Sequence, residues 1–137
     1  MSRISREKYY INIAKAVSAR STCLRRQYGA VIVKDDRIIA TGYNGSPKGE
    51  VNCCDSGVCQ RTLDGSEHNN GDYSNCHSVH AEQNALIMAS KEELDGATIY
   101  LWGGENGKEI KAIPCPICGR MISNSGIKLF YGSGVND

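Results

Sequence analysis

His80 and Glu82 stand two residues apart in "SVHAEQNALI", and Cys115 and Cys118 stand three apart behind a proline in "IPCPICGRMI". One imidazole and two thiolates are zinc-type donors, and three such ligands leave the fourth position of a tetrahedral ion for water. The metal acidifies that water, less strongly beside two anionic thiolates than beside three neutral ligands. A carboxylate that is not itself a ligand can take up the proton and pass it on, and Glu82 suits that task. Each half alone carries little weight. An isolated C-x-x-C also serves as a structural zinc half-site or a redox pair, and a lone His at a helix start can simply satisfy a backbone group. The two halves matter only if the fold brings them to one point.

The elements around them predict that it does. "SREKYYINIAKAVSAR" reads as an amphipathic helix, with Tyr10, Ile13, Ala14 and Val17 at helical intervals and Ser5 as its cap. "GAVIVK" and "RIIATGY" are apolar, β-branched runs separated by Asp35-Asp36 and read as a hairpin. "HAEQNALIMASKEEL" is a second helix, ended by Asp95-Gly96. "ATIYLW", apolar on both faces, is a central strand, and "GGENGKEIKAI" is a loop or a small hairpin. "PICGRMISNSG" is a third helix, with Pro116 in its first turn and Gly126 at its end; "IKLFYG" is the last strand.

The resulting order, α-β-β-α-β-α-β, predicts β-α-β units with right-handed crossovers and parallel later strands. In such sheets each crossover helix starts at the carboxyl edge, where ligands bind. His80 and Glu82 start one of these helices, Cys115 and Cys118 start the next, and Asn44 stands at the end of the second strand. Within a helix, positions two apart point to different sides, but in the first turn both side chains can reach past the helix end. The partial positive charge there favours the thiolate forms of both cysteines.

The chain has 137 residues, enough for one compact domain, and a formal charge of +1, which argues against binding of long nucleic acid. No apolar run is long enough to span a bilayer, and "MSRISREKYY" lacks the apolar region of a secretory signal. Seven cysteines, an odd number with Cys53 and Cys54 adjacent, fit metal or catalysis better than a disulfide framework. From Glu50 to His77 the chain is polar and aperiodic, and a loop of that length needs a staple. Cys53, Cys54, Cys59 and Cys76 lie in it.

"RSTCLRRQYGAVIVKDDRIIATGYNGSP", "HAEQNALI", "DGATIYLW" and "PCPICGRMISNSGIKLFYG" together resemble the deoxycytidylate (dCMP) deaminases of the cytidine deaminase-like superfamily over most of the chain. H-x-E with P-C-x-x-C is the mark of zinc-dependent nucleobase deaminases. The stretches "STCLRRQYGAVIV" and "TGYNG" favour the dCMP branch over tRNA adenosine deaminases. The resemblance implies an α/β, three-layer α-β-α fold whose mixed sheet has an N-terminal hairpin and parallel later strands. One domain would cover residues 1–137, with a Cys/His-rich loop at about 45–77.

It makes His80, Cys115 and Cys118 ligands of a catalytic Zn²⁺, Glu82 the proton shuttle, and Asn44 a hydrogen-bond partner of the deoxyribose 3′-hydroxyl. The implied reaction is hydrolysis of dCMP to dUMP and ammonia, in a cytoplasmic homohexamer activated by dCTP with Mg²⁺ and inhibited by dTTP. Cys23, Cys53, Cys59 and Cys76 match positions where relatives hold a second, structural Zn²⁺, for which His77, His68 or Cys54 could substitute; ordinary buried thiols are the alternative. Arg25 and Arg26 are phosphate candidates, because a guanidinium pairs with phosphate through two parallel bonds; Lys48, Lys111 and Arg120 are weaker ones. Tyr131 could stack on the nucleotide or belong to the core. Two further functions stay open at this point: deamination of another cytosine substrate, and a non-catalytic, nucleotide-sensing zinc protein. Many relatives carry a helix and strand beyond the last one here, and "WGGENGKEIKAIPC" is longer than the link in many of them.

Overall fold

The structure is a computed structural model that describes residues 2–59, 62, 65, 76 and 78–135. Its elements are α1 (Arg6–Ser18), β1 (Gln27–Lys34), β2 (Arg37–Tyr43), α2 (Cys53–Ser56), α3 (Ala81–Met88), α4 (Lys91–Leu94), β3 (Thr98–Glu105), β4 (Lys108–Ile110), α5 (Pro116–Ser125) and β5 (Leu129–Gly132). β1 lies between β2 and β3 and is antiparallel to both. β3 carries β5, parallel, and the short β4, antiparallel, along its other edge. β2, β3 and β5 therefore run in one direction, as the crossovers require, although β2 and β3 are not neighbours.

Alternation along the strands divides the core into two layers. Ala30, Ile32, Ile99 and Leu101 face α3 and α5, together with Ala81, Ala85 and Ile122. Val31, Val33, Tyr100 and Trp102 face α1, against Tyr10, Ile11 and Ala14. This is the expected three-layer α-β-α arrangement, with β3 central and buried on both faces.

Two elements differ from the sequence reading. The helix expected over His80–Leu94 is broken at Ala89, whose ψ of 154° is extended. Ser90 then caps α4: its hydroxyl accepts from the Glu93 N–H at 3.1 Å, and the Glu93 carboxylate accepts from the Ser90 N–H at 2.8 Å. This capping box competes with continuation of α3, and S-K-E-E was its signal. The open choice over "GGENGKEIKAI" resolves as a hairpin. Asn106 and Gly107 both have positive φ, the requirement of a tight two-residue turn, and β3 lengthens to Glu105.

Close backbone approach sets α3 on the sheet. A Cβ on Gly42 would sit 2.4 Å from the Ala81 carbonyl oxygen and 2.5 Å from the Ala85 nitrogen. The Asn84 side-chain amide donates to the Tyr43 carbonyl at 2.8 Å, and an isolated bridge joins Gly45 to Val79 just before the helix. Gly42→Ala should lift the start of α3 from β2, lowering stability by about 1–3 kcal/mol, the cost of overpacking. Chemical denaturation would measure it, and an unchanged midpoint would show that the contact is dispensable.

Candidate functional site

His80 is the N-cap of α3, with extended backbone (φ −71°, ψ 154°), and its N–H donates to the Gln83 side-chain oxygen at 2.9 Å. That places the imidazole at the helix mouth. Cys115 is the N-cap of α5, with Pro116 behind it in the first turn, and its sulfur accepts from the Cys118 N–H at 3.4 Å. The segment leading to Cys115 is held by buried Ser133, whose carbonyl accepts from the Ala112 N–H at 2.9 Å and whose hydroxyl donates to the Ile110 carbonyl at 2.8 Å.

The two helix mouths meet. His80 Nδ1 lies 3.5 Å from Cys115 Sγ and 3.3 Å from Cys118 Sγ. Zn–N near 2.0–2.1 Å and Zn–S near 2.3 Å at a tetrahedral angle require an N···S separation of roughly 3.5 Å. The donors thus stand where one ion would need them. Among the described residues this is the one group of three metal-seeking side chains with donor atoms all within 4.8 Å of one another.

Glu82, in the first turn of α3, is 4% exposed. Burial pushes its carboxyl up to about 7, opposed by hydrogen bonds from its own backbone and from Cys118. The Cys118 thiol is raised as well, by burial first and then by the charges of Glu82 and Cys115. A cation held beside them would be attracted the more strongly by the same burial.

A cleft opens onto this corner. It is lined by His80, Glu82 and Cys115, and also by Asn44, Arg25, Arg26, Cys23, Cys59 and Cys76. Tyr28, Ser78 and Ile113 line it too, and sequence reading missed them. Tyr28, an aromatic next to the arginine pair, offered a signal; Ile113 offered none beyond adjacency to the Pro-Cys motif. Among the described residues Arg25 Nη1 and Arg26 Nε are both buried with no hydrogen-bond partner, and Arg26 Nε lies 3.6 Å from a Glu105 carboxylate oxygen, an ion pair.

The structure does not bring Tyr131 to this cleft. Tyr131 packs with the α1 layer, its ring stacked on Tyr100 at 5.4 Å and 12°. The alternation of β5 decides this: Phe130 turns towards α3 and α5, and its neighbour must turn away.

No disulfide joins any of the seven cysteines among the described residues. Cys53, at the start of α2, is raised by burial first and then by the charges of Cys23, Cys59, Cys76 and Cys54, and Cys23, Cys59 and Cys76 line one cleft. Their sulfurs do not form a group as tight as the one around His80. His68 and His77, the substitute ligands, lie outside the described residues. No helix among the described residues is long and apolar enough to cross a membrane.

Residues 4–133 match the family described as the cytidine and deoxycytidylate deaminase zinc-binding region. The chain is similar to the deoxycytidylate deaminase of Mycobacterium phage D29, with 41% identity over 132 residues, covering 93% of this chain and 94% of the phage protein. It is 36% identical over 128 residues to the deoxycytidylate deaminase of Saccharomyces cerevisiae, covering 93% of this chain but 37% of the yeast protein. Among solved structures it resembles the dCMP deaminase of cyanophage S-TIM5 in complex with dCMP and dUMP. That match has a TM-score of 0.68 and 32% identity, and it covers 95% of this chain and 83% of the other.

Zinc added to the metal-free protein should displace thiol protons, because metal-bound sulfur is thiolate. Its apparent affinity should therefore rise with pH, by up to about tenfold per unit for each proton displaced. Calorimetry in buffers of different ionisation enthalpy counts those protons. Zinc uptake with no proton release would rule out ligation by the two cysteines.

Proposed function

We propose, for a chain that belongs to the cytidine and deoxycytidylate deaminase zinc-binding family, that it hydrolyses dCMP to dUMP and ammonia. The observation that carries this reading is the buried Glu82 carboxyl beside the His80, Cys115 and Cys118 donors, at the head of a cleft. The named substrates of the phage relatives support dCMP over other cytosine compounds.

His80, Cys115 and Cys118 would hold zinc, which when bound acidifies a water molecule for attack on the pyrimidine. Glu82 takes up the proton of that water and delivers it to ring N3. A second transfer through the same carboxyl brings a proton to the amino group leaving C4, so water and dCMP are converted to dUMP and ammonia. A carboxyl displaced by burial towards neutrality suits both halves of that exchange. Asn44 has one amide hydrogen to offer the ribose 3′-hydroxyl, and Arg25 and Arg26 offer guanidinium groups to the phosphate.

The finer features follow the same reading. Residues 1–137 act as one domain in the cytoplasm. A second zinc staples the loop through Cys23, Cys53, Cys59 and Cys76, supported by their mutual influence on the Cys53 thiol. A homo-oligomer, with a hexamer favoured, buries the exposed Ile38, Ile87 and Met88 on β2 and α3. dCTP with Mg²⁺ activates and dTTP inhibits; a separate cleft at the "GYNGSPKG" turn, with Arg20, Lys48 and Asn84 in its walls, supports an effector there.

Zinc-loaded protein incubated with dCMP should form dUMP and ammonia. Glu82→Gln should keep its zinc and lose roughly 10²–10⁴-fold in kcat, the usual worth of a positioned proton shuttle. Full turnover in that variant would remove Glu82 from the mechanism. Elemental analysis should find two zinc ions per chain, falling to one in Cys53→Ser/Cys59→Ser; one ion in the unsubstituted protein would count against the structural site.

A further inference from the structure

Asn44 is 6% exposed, and its carboxamide is engaged inside the chain. Oδ1 accepts from the Tyr28 N–H at 2.9 Å and from the Ser21 hydroxyl, and Nδ2 donates to the Arg26 carbonyl at 2.9 Å. Its backbone carbonyl accepts from the Thr22 N–H at 3.2 Å. An amide oxygen has two lone pairs, and both are taken. The residues between Ser21 and Arg26 have neither helix nor strand of their own. Both ends of this arc are therefore fastened to one side chain and its backbone.

Arg25 rides in the middle of the arc. It lines the cleft, and its Nη1 is buried with no hydrogen-bond partner among the described residues. Arg26 Nε is likewise buried without a hydrogen bond, but the Glu105 carboxylate lies 3.6 Å from it, so that charge has an ion-pair partner and Arg25 has none among the described residues. A desolvated guanidinium N–H on a residue that lines a cleft is costly unless an acceptor completes it. Without a regular element, the direction of Arg25 depends on the fastening of its flanks, to which the Gln27 side chain, donating to the Cys23 carbonyl at 2.9 Å, and the Cys54 N–H, donating to the Thr22 carbonyl at 3.0 Å, also contribute.

We propose that Asn44 is a positioning residue for phosphate: it fixes residues 21–28 so that Arg25 can meet the 5′-phosphate of a bound nucleotide. The inference rests on reading this cleft as a nucleotide site. It differs from a ribose contact in one consequence. A ribose contact helps nucleoside and nucleotide equally, whereas a grip on the Arg25 arc helps only the ligand that carries phosphate.

Binding of dUMP and deoxyuridine tests this without any need for turnover. Dissociation constants are measured by calorimetry on the zinc-loaded protein, on Asn44→Ala, on Arg25→Ala and on the double variant. The unsubstituted protein should prefer dUMP. Each single variant should lower that preference by about tenfold or more, the worth of a charge-assisted hydrogen bond. The double variant should lose no more of the dUMP-over-deoxyuridine preference than Arg25→Ala alone, because both act on one phosphate contact and any sugar contact of Asn44 cancels from that ratio. Ser21→Ala, which loosens Asn44 from outside the cleft, should shift the preference in the same direction by less, and it replaces Asn44→Ala if that variant does not fold. The proposal is overturned by indifference to phosphate, by equal losses for dUMP and deoxyuridine, or by additive losses of the phosphate preference in the double variant. Intact phosphate preference in a protein that fails to turn over dCMP would instead reject the deaminase reading and leave this one standing.

Discussion

The meeting of two helix mouths governs this protein. Putting an imidazole nitrogen within 3.5 Å of two sulfurs, with a carboxyl buried beside them, is unfavourable in a metal-free interior. Burial raises both Cys118 and Glu82, so each retains a proton it would otherwise lose more readily. A divalent cation reverses that balance by giving the buried anionic forms a partner. The rest of the fold holds the two mouths at that separation against the cost. Gly42 admits the α3 backbone onto β2, and Ser133 ties down the strand-to-helix segment that ends at Cys115.

The direction of β1 does a second part of the job. Because β1 is antiparallel to both neighbours, its amino end lies at the carboxyl edge of β2 and β3. The stretch that precedes it, Cys23 to Arg26, is thereby delivered to the same corner as His80 and Cys115. An all-parallel sheet would have sent it to the opposite edge. The cationic side of the cleft thus follows from the hairpin at Asp35-Asp36, more than thirty residues ahead of α3 in the chain.

Much of this was legible because the signals were local. Period-two apolar runs marked the strands, Pro116 and Gly126 bracketed α5, and the crossover rule sent both helix starts to one edge. Ser90 and Glu93 were equally local and were overlooked, since apolar spacing continues across the break they cause. Tyr131 was a different kind of case. Its position at a strand end was correctly foreseen, but which face it occupies depends on strand register, and register is fixed by pairing with β3.

The amino-acid sequence alone determined the His80, Cys115 and Cys118 donor set, the carboxyl group placed beside it, and the layered α/β frame, because residue type, helix caps and periodicity are written in short stretches. Only the tertiary structure decided that Asn44 spends its oxygen on Ser21 and Tyr28, that Arg26 and not Arg25 has a carboxylate within ion-pair distance among the described residues, and that Tyr131 turns to the α1 layer. Those outcomes depend on distances between segments remote in the chain. Hydrogen-bond capacity is finite, and which neighbour claims it is settled only when the chain is packed.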